Sequence, residues 1–448
     1  MQDILILGAG KSATILIETL LEEAIENNWF IHVADVQVAV AEKKIAGHDR
    51  AAAYGINLEN DEELTGLMKR ANAVISMLPP PLHLKVARKC VQLKKHFLNA
   101  SYLTPEIQAL DEEAKAAGVT ILTEMGLDPG IDHMSAMEMI HDIRRQGGHI
   151  FMFRSHCGGL ISPESDNNPW HYKISWNPKN IIMAGKDGAN YLYNAHTNHV
   201  PYGELFDAER TVDVPGYGKW AWYPNRDSLP YIGKYSLQGV EDFVRTTLRH
   251  PDFAAGWSKI VSLGLTDDSY QSDTTNVTIK DYFKPYLKDM ENWSPLEQEQ
   301  FRFLELERED VLNLGMVTPA DVLQSIVEKK LALEEKDKDL IIMLHEIGYF
   351  DDASYTDDSS EERIGGSQLA RRVVYKKASL VVKGENAVHT AMAKTVGLPL
   401  AIAVRNILNG KITRRGVSIP ILPEIYEIVL RDLEKKGIVF TVTEEANA

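Results

Sequence analysis

The chain has little cysteine, no excess of positive charge and no long uninterrupted apolar run. Its 448 residues include two cysteines, Cys90 and Cys157, too few for a disulfide framework or a cysteine-rich zinc site, as is usual in a reducing compartment. The formal net charge of −16 argues against a nucleic-acid partner, because such a protein needs a basic face to neutralise phosphates. A small anionic substrate is still allowed, since local arginines can clamp carboxylates on an acidic protein.

The N-terminal residues Met1–Asp3 lack the basic region of a signal peptide, and no stretch approaches the roughly 18 apolar residues of a membrane-spanning helix. We therefore expect a cytoplasmic protein with no membrane contact. Hydrophobic residues make up 44% and charged residues 25% of the chain, which is close to the globular average. The chain can therefore bury a sizeable core.

Short apolar segments alternate with helical segments over the first 130 residues or so. Segments 3–7, 30–34 and 73–78 are strand-like, whereas 12–27 and 82–94 have apolar residues at helical spacing. This alternation predicts an α/β fold with a parallel sheet covered by helices on both faces.

The pattern changes after about residue 131. Segments 150–155, 338–350 and 370–383 are typical of longer strands, and 240–335 has the composition and spacing of a helical insert. An acidic, Ser/Gly-rich segment, 351–367, separates the last two strands and predicts a hairpin loop or a mobile flap.

A dinucleotide-binding fingerprint follows the first strand and opens a helix. It is Gly8-Ala9-Gly10-Lys11-Ser12-Ala13, which fits G-x-G-x-x-A in the required βαβ context. Gly8 permits the tight turn, Gly10 lets backbone approach a pyrophosphate, and Ala13 lets the helix pack on the strand. Lys11 and Ser12 lie at the helix N-terminus, where free N–H groups face the phosphates. A triphosphate P-loop is excluded because it needs glycine where this chain has Leu5.

Asp35 ends the second strand, where an acid can accept hydrogen bonds from both ribose hydroxyls of an adenosine. Because its charge would repel a 2′-phosphate, this residue favours NAD over NADP. The alternative is a solvated turn aspartate. Ser76, Leu78 and Pro79 end the third strand and are candidate cofactor contacts, although a plain strand-terminating turn explains them equally well.

Five further stretches carry a family resemblance over nearly the whole chain, in the same order. They are Glu124–His133, Ser155–Leu160 running into Pro163–Pro169 and Tyr172–Trp176, Tyr223–Ser228, Thr247–Arg249, and Met392–Pro399. Together they resemble the saccharopine dehydrogenase family, and within it the glutamate-forming branch.

The resemblance implies an NAD(P)-dependent dehydrogenase acting on a CH–NH donor in lysine metabolism. Saccharopine is oxidised at its secondary amine, and the imine is hydrolysed to L-glutamate and α-aminoadipate semialdehyde, or the reverse. The implied partners are a small tricarboxylate amino-acid substrate and a second copy of the chain in a homodimer. The implied fold is a Rossmann domain completed by the C-terminal segment, an α/β substrate domain with a mixed sheet, and a helical insert. We accordingly predict domains 1–131 with 390–448, 132–239 with 336–389, and 240–335.

The resemblance also places substrate carboxylates at Arg226 and at a second clamp, Thr247 with Arg249. Arg–carboxylate pairs are often bidentate, which fixes orientation as well as charge. Any single arginine is otherwise most often part of a surface ion pair.

Asp128 and Cys157 match family positions beside the substrate. Asp128 could orient the amine or take its proton, but Asp128-Pro129-Gly130 is also good turn chemistry. Cys157 precedes two glycines, although a lone buried cysteine is more often inert packing. Lys173 is a candidate acid/base group if burial favours its neutral form.

Further contacts complete the predicted site. The substrate contacts are Ser101, Tyr102 and Asn168, and the cofactor contacts include Ser101, Leu127 and Asp128. No metal is expected, because His83, His133, His156 and His171 are not at ligand spacing with other ligands.

Two features leave alternatives open. Members of the glutamate-forming branch usually use NADP and have a basic or polar residue after the second strand, whereas this chain has Asp35. Two other functions compete: a related secondary-amine dehydrogenase of the carboxy-polyamine type, and a non-catalytic dinucleotide-binding relative. A polyamine would need acids where saccharopine needs arginines.

Overall fold

The computed structural model describes residues 1–351 and 372–446. It divides into two compact units, one made of Met1–Asp142 and Val388–Val439 and the other of Ile143–Ala387 and Phe440–Ala448. The predicted loop or flap at 351–367 lies outside the described residues, apart from Asp351.

The strands are numbered in chain order. They are β1 Gln2–Leu7, β2 Trp29–Asp35, β3 Ala51–Gly55, β4 Ala73–Ser76, β5 His96–Asn99, β6 Thr120–Leu122, β7 His149–Ile161, β8 Ala189–Tyr193, β9 His196–Val200, β10 Thr211–Val214, β11 Gly218–Pro224, β12 Asp242–Arg249, β13 Ser272–Asp273, β14 Met316–Val317, β15 Asp339–Asp351, β16 Arg372–Lys383, β17 Gly416–Ser418 and β18 Thr441–Ala446.

The α-helices are numbered in the same way. They are α1 Thr14–Ala24, α2 Val38–Ile45, α3 Asp61–Arg70, α4 His83–Leu93, α5 Pro105–Gln108, α6 Asp111–Ala117, α7 Ile131–Arg145, α8 Pro178–Ile182, α9 Leu229–Lys234, α10 Pro251–Ser262, α11 Ile279–Phe283, α12 Pro295–Phe303, α13 Pro319–Lys330, α14 Ala391–Leu408 and α15 Pro423–Lys435.

The first unit is built on a parallel sheet with strand order β17-β6-β5-β4-β1-β2-β3. Read from β3 to β6, this is the Rossmann order, with the C-terminal β17 added beside β6. Apolar side chains such as Leu5, Val74 and Phe97 are fully buried in its core, as expected for strands covered on both faces. The predicted fold class is confirmed, including completion of the sheet by the C-terminal segment.

Helix α14 packs closely against α1. A Cβ at Gly397 would lie 2.6 Å from the Leu16 backbone nitrogen, so only glycine permits this approach. Length and composition alone would allow α14 to cross a membrane, but 72% of it is buried inside the protein. It therefore serves as a core helix that supports the segment following the fingerprint.

The second unit contains a mixed sheet. Its order is β10-β11-β12-β7-β15-β16-β18, with β8 pairing with β12 and β9 pairing with β8. Strands β7 and β12 are parallel to each other, whereas β11 and β15 are antiparallel to their neighbours. The expected mixed sheet is confirmed.

The predicted domain boundaries need three corrections. Residues 242–249 form β12 in the second sheet, so the helical insert begins later than 240, with α10. In this strand, alternate side chains face opposite sides of the sheet. The prediction of a helical segment missed this period of two. At the C-terminus, β18 pairs with β16 and joins the second unit, although its residues are all exposed and give no apolar signal. Most of α7 belongs to the first unit, which ends at Asp142 rather than 131.

Candidate active site

The fingerprint turn leaves an open approach to the backbone after β1. Gly8 has φ +97°, and a Cβ there would lie 2.9 Å from the Met77 carbonyl oxygen. Gly10 is exposed, and a Cβ built on it would meet nothing within 4 Å. Residues Lys11–Ala13 form a 3₁₀ turn leading into α1, with Ala13 buried. The turn therefore fits a dinucleotide pyrophosphate, which needs close backbone approach and free N–H groups.

Asp35 is tied to this turn at the end of β2. Its Oδ2 accepts a hydrogen bond from the Ala9 backbone N–H at 2.7 Å, and its Oδ1 accepts one from the Gln37 N–H at 2.9 Å. A carboxylate has about four acceptor positions, so two remain for ribose hydroxyls. Asp35 therefore both fixes the turn and keeps the capacity to bind a ribose.

Lys44, on the last turn of α2, was missed in the sequence. Its Nζ donates to the Gly10 carbonyl at 3.0 Å and to the Thr14 hydroxyl. Burial lowers the pKa of Lys44 to about 8, partly opposed by the charges of Glu18 and Asp35. No local motif marks it, because only the packing of α2 brings its side chain to the turn.

A histidine joins two of the predicted contacts. The Ser76 hydroxyl lies 2.9 Å from His83 Nδ1, and the Ser101 hydroxyl lies 2.9 Å from His83 Nε2. Burial lowers the pKa of His83 to about 4, so the ring is neutral at pH 7 and donates through one nitrogen while accepting through the other. The sequence had treated His83 only as a non-ligand, yet it couples the two hydroxyls at the carboxyl edge of the sheet.

Asn99 lies opposite Ser76 in the register of β4 and β5. It is fully buried, and both polar atoms of its side chain lack a hydrogen-bond partner among the described residues. Ligands of open α/β sheets bind at the carboxyl ends of the strands, where these residues lie. The edge therefore has hydrogen-bonding capacity beyond that of the predicted contacts.

The loop that carries Asp128 is held by a buried network. Glu124 accepts the Leu103 N–H at 2.9 Å through Oε1, and its Oε2 lies 2.7 Å from His133 Nε2. Asp132 Oδ1 accepts the Gly130 N–H at 2.6 Å. Because Glu124, Asp132 and His133 are at most 1% exposed, these bonds are shielded from water and fix the loop.

The same loop brings several predicted contacts together within the first unit. The Tyr102 hydroxyl donates to Asp128 Oδ1 at 3.3 Å, and the carboxylate of Asp128 is half-buried. Leu127 is buried, whereas Leu78 is half-buried and Pro79 is exposed after β4. Tyr102 and Asp128 are thus placed to act on one group.

In the second unit, the predicted substrate residues share one sheet face. Thr247 of β12 lies beside Cys157 of β7 and opposite Tyr223 of β11. Side chains two positions apart on a strand point to the same side, so Arg245 and Arg249 flank Thr247 on that face. Cys157 is buried at the middle of this row, consistent with the packing alternative.

Arg249 is buried without an acidic partner. It is 4% exposed, and no carboxylate lies within 4 Å of its guanidinium among the described residues. The guanidinium donates to the Leu248 carbonyl at 2.8 Å and lies 5.1 Å from the ring centre of Tyr172, while its Nε has no partner. A buried charge is costly unless paired, so this position calls for an anion.

Arg245 was missed in the sequence although it lies on the same face. It is 2% exposed, and its guanidinium lies 4.4 Å from the ring centre of Tyr231. Period-two spacing from Thr247 and Arg249 is the signal that would have found it, but the strand itself had been assigned to a helical insert.

Arg226 lies in the exposed loop after β11. It has φ +56°, an uncommon conformation for a residue with a Cβ, and its carbonyl accepts the Asn190 N–H at 3.1 Å. The Asn225 N–H donates to the Arg245 carbonyl at 2.8 Å, which anchors the loop to β12. Backbone hydrogen bonds therefore help to fix the position of Arg226 in this loop.

Lys173 and Asn168, two of the predicted site residues, have hydrogen-bond partners within the second unit. Lys173 is 5% exposed and pairs with Asp337 at 2.6 Å, which ties its segment to residues 334–337. Asn168 accepts the Trp170 N–H at 2.9 Å and donates to the Tyr172 carbonyl at 3.1 Å. Both side chains therefore organise their loop, and the ion pair accounts for the burial of Lys173. The substrate contact of Asn168 and the acid/base role of Lys173 stay predictions.

Comparisons with known proteins identify the family of the chain. The Saccharopine dehydrogenase NADP binding domain matches residues 4–122, and the Saccharopine dehydrogenase C-terminal domain matches residues 126–438. The chain belongs to the saccharopine dehydrogenase family. It is 29% identical to the L-glutamate-forming, NADP(+)-named saccharopine dehydrogenase of Pyricularia oryzae, with 97% of each chain covered.

Other saccharopine dehydrogenase relatives extend the comparison. The chain is 33% identical to alpha-aminoadipic semialdehyde synthase of Arabidopsis thaliana, covering 91% of this chain and 40% of that protein. The apo L-Glu-forming saccharopine dehydrogenase of Saccharomyces cerevisiae superposes with a TM-score of 0.84 at 26% identity over the whole of both chains. Homospermidine synthase of Legionella pneumophila has a TM-score of 0.53 at 12% identity, a likeness of fold alone. The predicted family and the class of NAD(P)-dependent oxidoreductase are confirmed.

Proposed function

We propose that this chain interconverts saccharopine with L-glutamate and α-aminoadipate semialdehyde. The names of full-length relatives support this activity, and so does the buried guanidinium of Arg249. Saccharopine carries three carboxylates and one secondary amine. The second unit offers arginines on one sheet face for carboxylates, and the first unit offers the acid Asp128 for an amine.

Arg249 is the observation on which the substrate class depends. A polyamine would place ammonium groups near this guanidinium, and like charges at a buried position are mutually unfavourable. A substrate carboxylate would instead satisfy the unpartnered Nε and offset the cost of the buried charge. The structure therefore favours the tricarboxylate amino acid over the carboxy-polyamine alternative.

The overall reaction of saccharopine indicates what the residues of each unit would do. Saccharopine, water and oxidised cofactor give glutamate, the semialdehyde, reduced cofactor and one proton. When bound, the nicotinamide supplies the hydride acceptor or donor. Asp128, positioned by the Tyr102 hydroxyl, accepts a hydrogen bond or a proton from the secondary amine. Arg249 and Arg226 bind carboxylates and fix the orientation of the reacting carbon.

The cofactor is NAD or NADP. The names of the relatives favour NADP, whereas the geometry of Asp35 favours NAD. The first domain and the full-length relatives are named for NADP. The Asp35 carboxylate keeps acceptor positions that suit a 2′-hydroxyl and opposes a 2′-phosphate. We propose that this chain accepts NAD more readily than its NADP-named relatives do.

Absorbance at the reduced nicotinamide band tests the proposal. Purified protein is mixed with saccharopine and NAD or NADP, and the reverse reaction is run with glutamate, the semialdehyde and reduced cofactor. Turnover with either cofactor supports the substrate assignment, and the ratio of the two kcat/KM values measures the effect of Asp35. Absence of turnover in both directions would refute it and favour another secondary amine or a non-catalytic relative. The homodimer stays a prediction, to be checked by light scattering.

A further inference from the structure

His171 is distant in the sequence from His250 and Asp252, yet the three residues meet in the second unit. His171 lies in the segment after β7, His250 is the N-cap residue of α10, and Asp252 lies in the first turn of that helix. The sequence predicted no metal, because His171 has no second ligand at local spacing. Here, one candidate ligand atom from each residue lies within 4.8 Å of the others.

The distances suit a small tetrahedral ion. His171 Nε2 lies 3.3 Å from Asp252 Oδ2, and His250 Nδ1 lies 3.7 Å from the same oxygen. Zinc bonds to nitrogen and oxygen of about 2.0–2.1 Å in a tetrahedron require ligand atoms about 3.3 Å apart. Binding through His250 Nδ1 would replace the hydrogen bond that this nitrogen accepts from the Asp252 N–H at 3.2 Å. Small side-chain movements would then complete three bonds and leave a fourth position open.

Asp166 provides the outer contact that a metal-binding histidine needs. Its Oδ2 lies 2.6 Å from His171 Nδ1, so that nitrogen carries a proton and Nε2 is directed toward Asp252. A carboxylate on the second ring nitrogen is the usual way in which the tautomer of a zinc-binding histidine is fixed. The other oxygen of Asp166, Oδ1, is buried without a hydrogen-bond partner among the described residues.

Charge balance also favours a divalent cation. The rings of His171 and His250 have centroids 4.0 Å apart, so two protonated rings would repel each other. Two carboxylates, those of Asp166 and Asp252, lie against the ring of His171, and a divalent ion would neutralise their charges.

We propose that His171, His250 and Asp252 form a binding site for one divalent transition-metal ion of the Zn²⁺ class, with Asp166 holding His171. Two imidazoles and a carboxylate are typical zinc ligands. The ion would tie the segment of His171 to the start of α10. The neighbouring Tyr172 and Arg249 are themselves in contact, with 5.1 Å between guanidinium and ring centre. The site does not depend on the proposed activity and takes no part in hydride transfer.

A metal-free arrangement competes with this proposal. A protonated His171 could bridge Asp166 and Asp252 with the same contacts, and then no ion would be needed. The experiment must therefore measure binding itself.

Full-length, tag-free protein is stripped with a chelator and titrated with Co²⁺ by visible absorption and with Zn²⁺ by calorimetry. We expect one ion per chain, the intense visible bands of four-coordinate Co²⁺, and a higher melting temperature with Zn²⁺. His171→Gln and Asp252→Asn should weaken binding at least 100-fold. Asp166→Asn should weaken it about 10- to 100-fold, as outer-shell changes do.

His196→Gln is the matched control, because His196 is an exposed histidine on β9 of the same unit. It should leave affinity and stoichiometry unchanged. His250→Gln is less informative, because His250 Nδ1 also accepts the Asp252 N–H and its loss weakens the helix cap. Equal affinity in wild type and His171→Gln, or no uptake of Zn²⁺ at micromolar concentration, would overturn the proposal. If His171→Gln does not fold, Asp166→Asn provides the same comparison.

Discussion

The two units differ in how the side chains of their candidate sites are partnered. In the first unit, Asp35 is hydrogen-bonded to backbone N–H groups, and a neutral His83 joins two serine hydroxyls. In the second unit, Arg249 is buried with no carboxylate within 4 Å among the described residues. The residues proposed to bind the dinucleotide are thus hydrogen-bonded within the protein, whereas Arg249, the proposed substrate contact, carries a charge that a ligand carboxylate would neutralise.

This contrast has a physical reason. A pyrophosphate is recognised through backbone N–H groups and a helix N-terminus, so the protein must mainly hold a backbone shape. A carboxylate is recognised by a guanidinium, whose hydrogen bonds are strong only if competing acids are absent. If Arg249 binds a substrate carboxylate as proposed, we expect its buried charge to lower the stability of the ligand-free protein.

Arg249→Met has the largest expected effect and tests whether the charge of Arg249 serves ligand binding rather than stability. The substitution removes the buried charge, so we expect kcat/KM for saccharopine to fall at least 30-fold, about 2–5 kcal/mol, while unfolding stability is unchanged or higher. Steady-state kinetics and urea unfolding measure the two effects.

The control for Arg249→Met is Arg405→Met in the first unit, where the guanidinium pairs with Glu23 at 2.8 Å and Asp432 at 2.7 Å. That change should lower stability by about 1–3 kcal/mol and leave the KM for saccharopine unchanged. If Arg249→Met lost stability to the same extent, the guanidinium would have a structural role and the contrast would fail.

Gly397→Ala tests whether packing behind the fingerprint holds the dinucleotide turn. The added Cβ would lie 2.6 Å from the Leu16 nitrogen, so α14 or α1 must move. We expect a loss of about 1–3 kcal/mol in stability and a higher KM for the cofactor.

Gly66→Ala is the matched control for Gly397→Ala. It lies within α3, and a Cβ there would meet nothing within 4 Å, so it should be neutral or stabilising by about 0.5–1 kcal/mol. An unchanged cofactor KM in Gly397→Ala, with the expected loss of stability, would show that the turn does not depend on this contact.

The pH dependence of stability tests the neutral state of His83. Its pKa is lowered from 6.5 to about 4, so the unfolded chain binds this proton more readily. Stability is then fully present above about pH 6.5 and falls as the pH drops toward 4. Between pH 7.5 and pH 5 the loss from His83 alone is about 2 kcal/mol.

His83→Gln should remove that part of the pH dependence, measured by urea unfolding at the two pH values. His96, whose pKa is also lowered to about 4 by burial, should continue to contribute in the variant. An unchanged slope in His83→Gln would mean that the ring is not held neutral between Ser76 and Ser101.

Asp35→Asn has the smallest expected effect. It keeps one acceptor oxygen and the size of the side chain but removes the charge that opposes a 2′-phosphate. We expect the ratio of kcat/KM for NADP to that for NAD to rise about tenfold, or about 1.4 kcal/mol. Lys43→Ala, at an exposed position of α2 in the same unit, is the control and should change the ratio little. No change in Asp35→Asn would mean that the carboxylate only holds the turn.

Local patterns predicted most of the first unit. Apolar strands ending in glycine or serine, the spacing of Gly8, Gly10 and Ala13, and Asp35 at the end of β2 are signals within one βαβ unit. Such a unit forms from neighbouring segments, so its pattern is preserved in the sequence. The family motifs likewise predicted substrate contacts at Asp128, Arg226, Thr247 and Arg249, and these roles stay predictions.

Other features could not be found along the chain. The strand β12 was mistaken for part of a helical insert, and with it Arg245 was missed, because eight residues give a weak period-two signal among helical neighbours. The exposed β18 has no apolar pattern at all and is defined only by its pairing with β16.

The sequence by itself determined the fold class, the family and the chemistry of the dinucleotide turn, because these depend on residue types at fixed local spacing. The tertiary structure decided which buried polar and charged side chains have a hydrogen-bond or ion-pair partner and which have none among the described residues. It paired Lys173 with Asp337, placed His83 between two serines, buried Arg249 without an acid, and brought His171 to Asp252. These relations arise from contacts between residues distant in the chain, and burial sets their energies, so no local pattern encodes them.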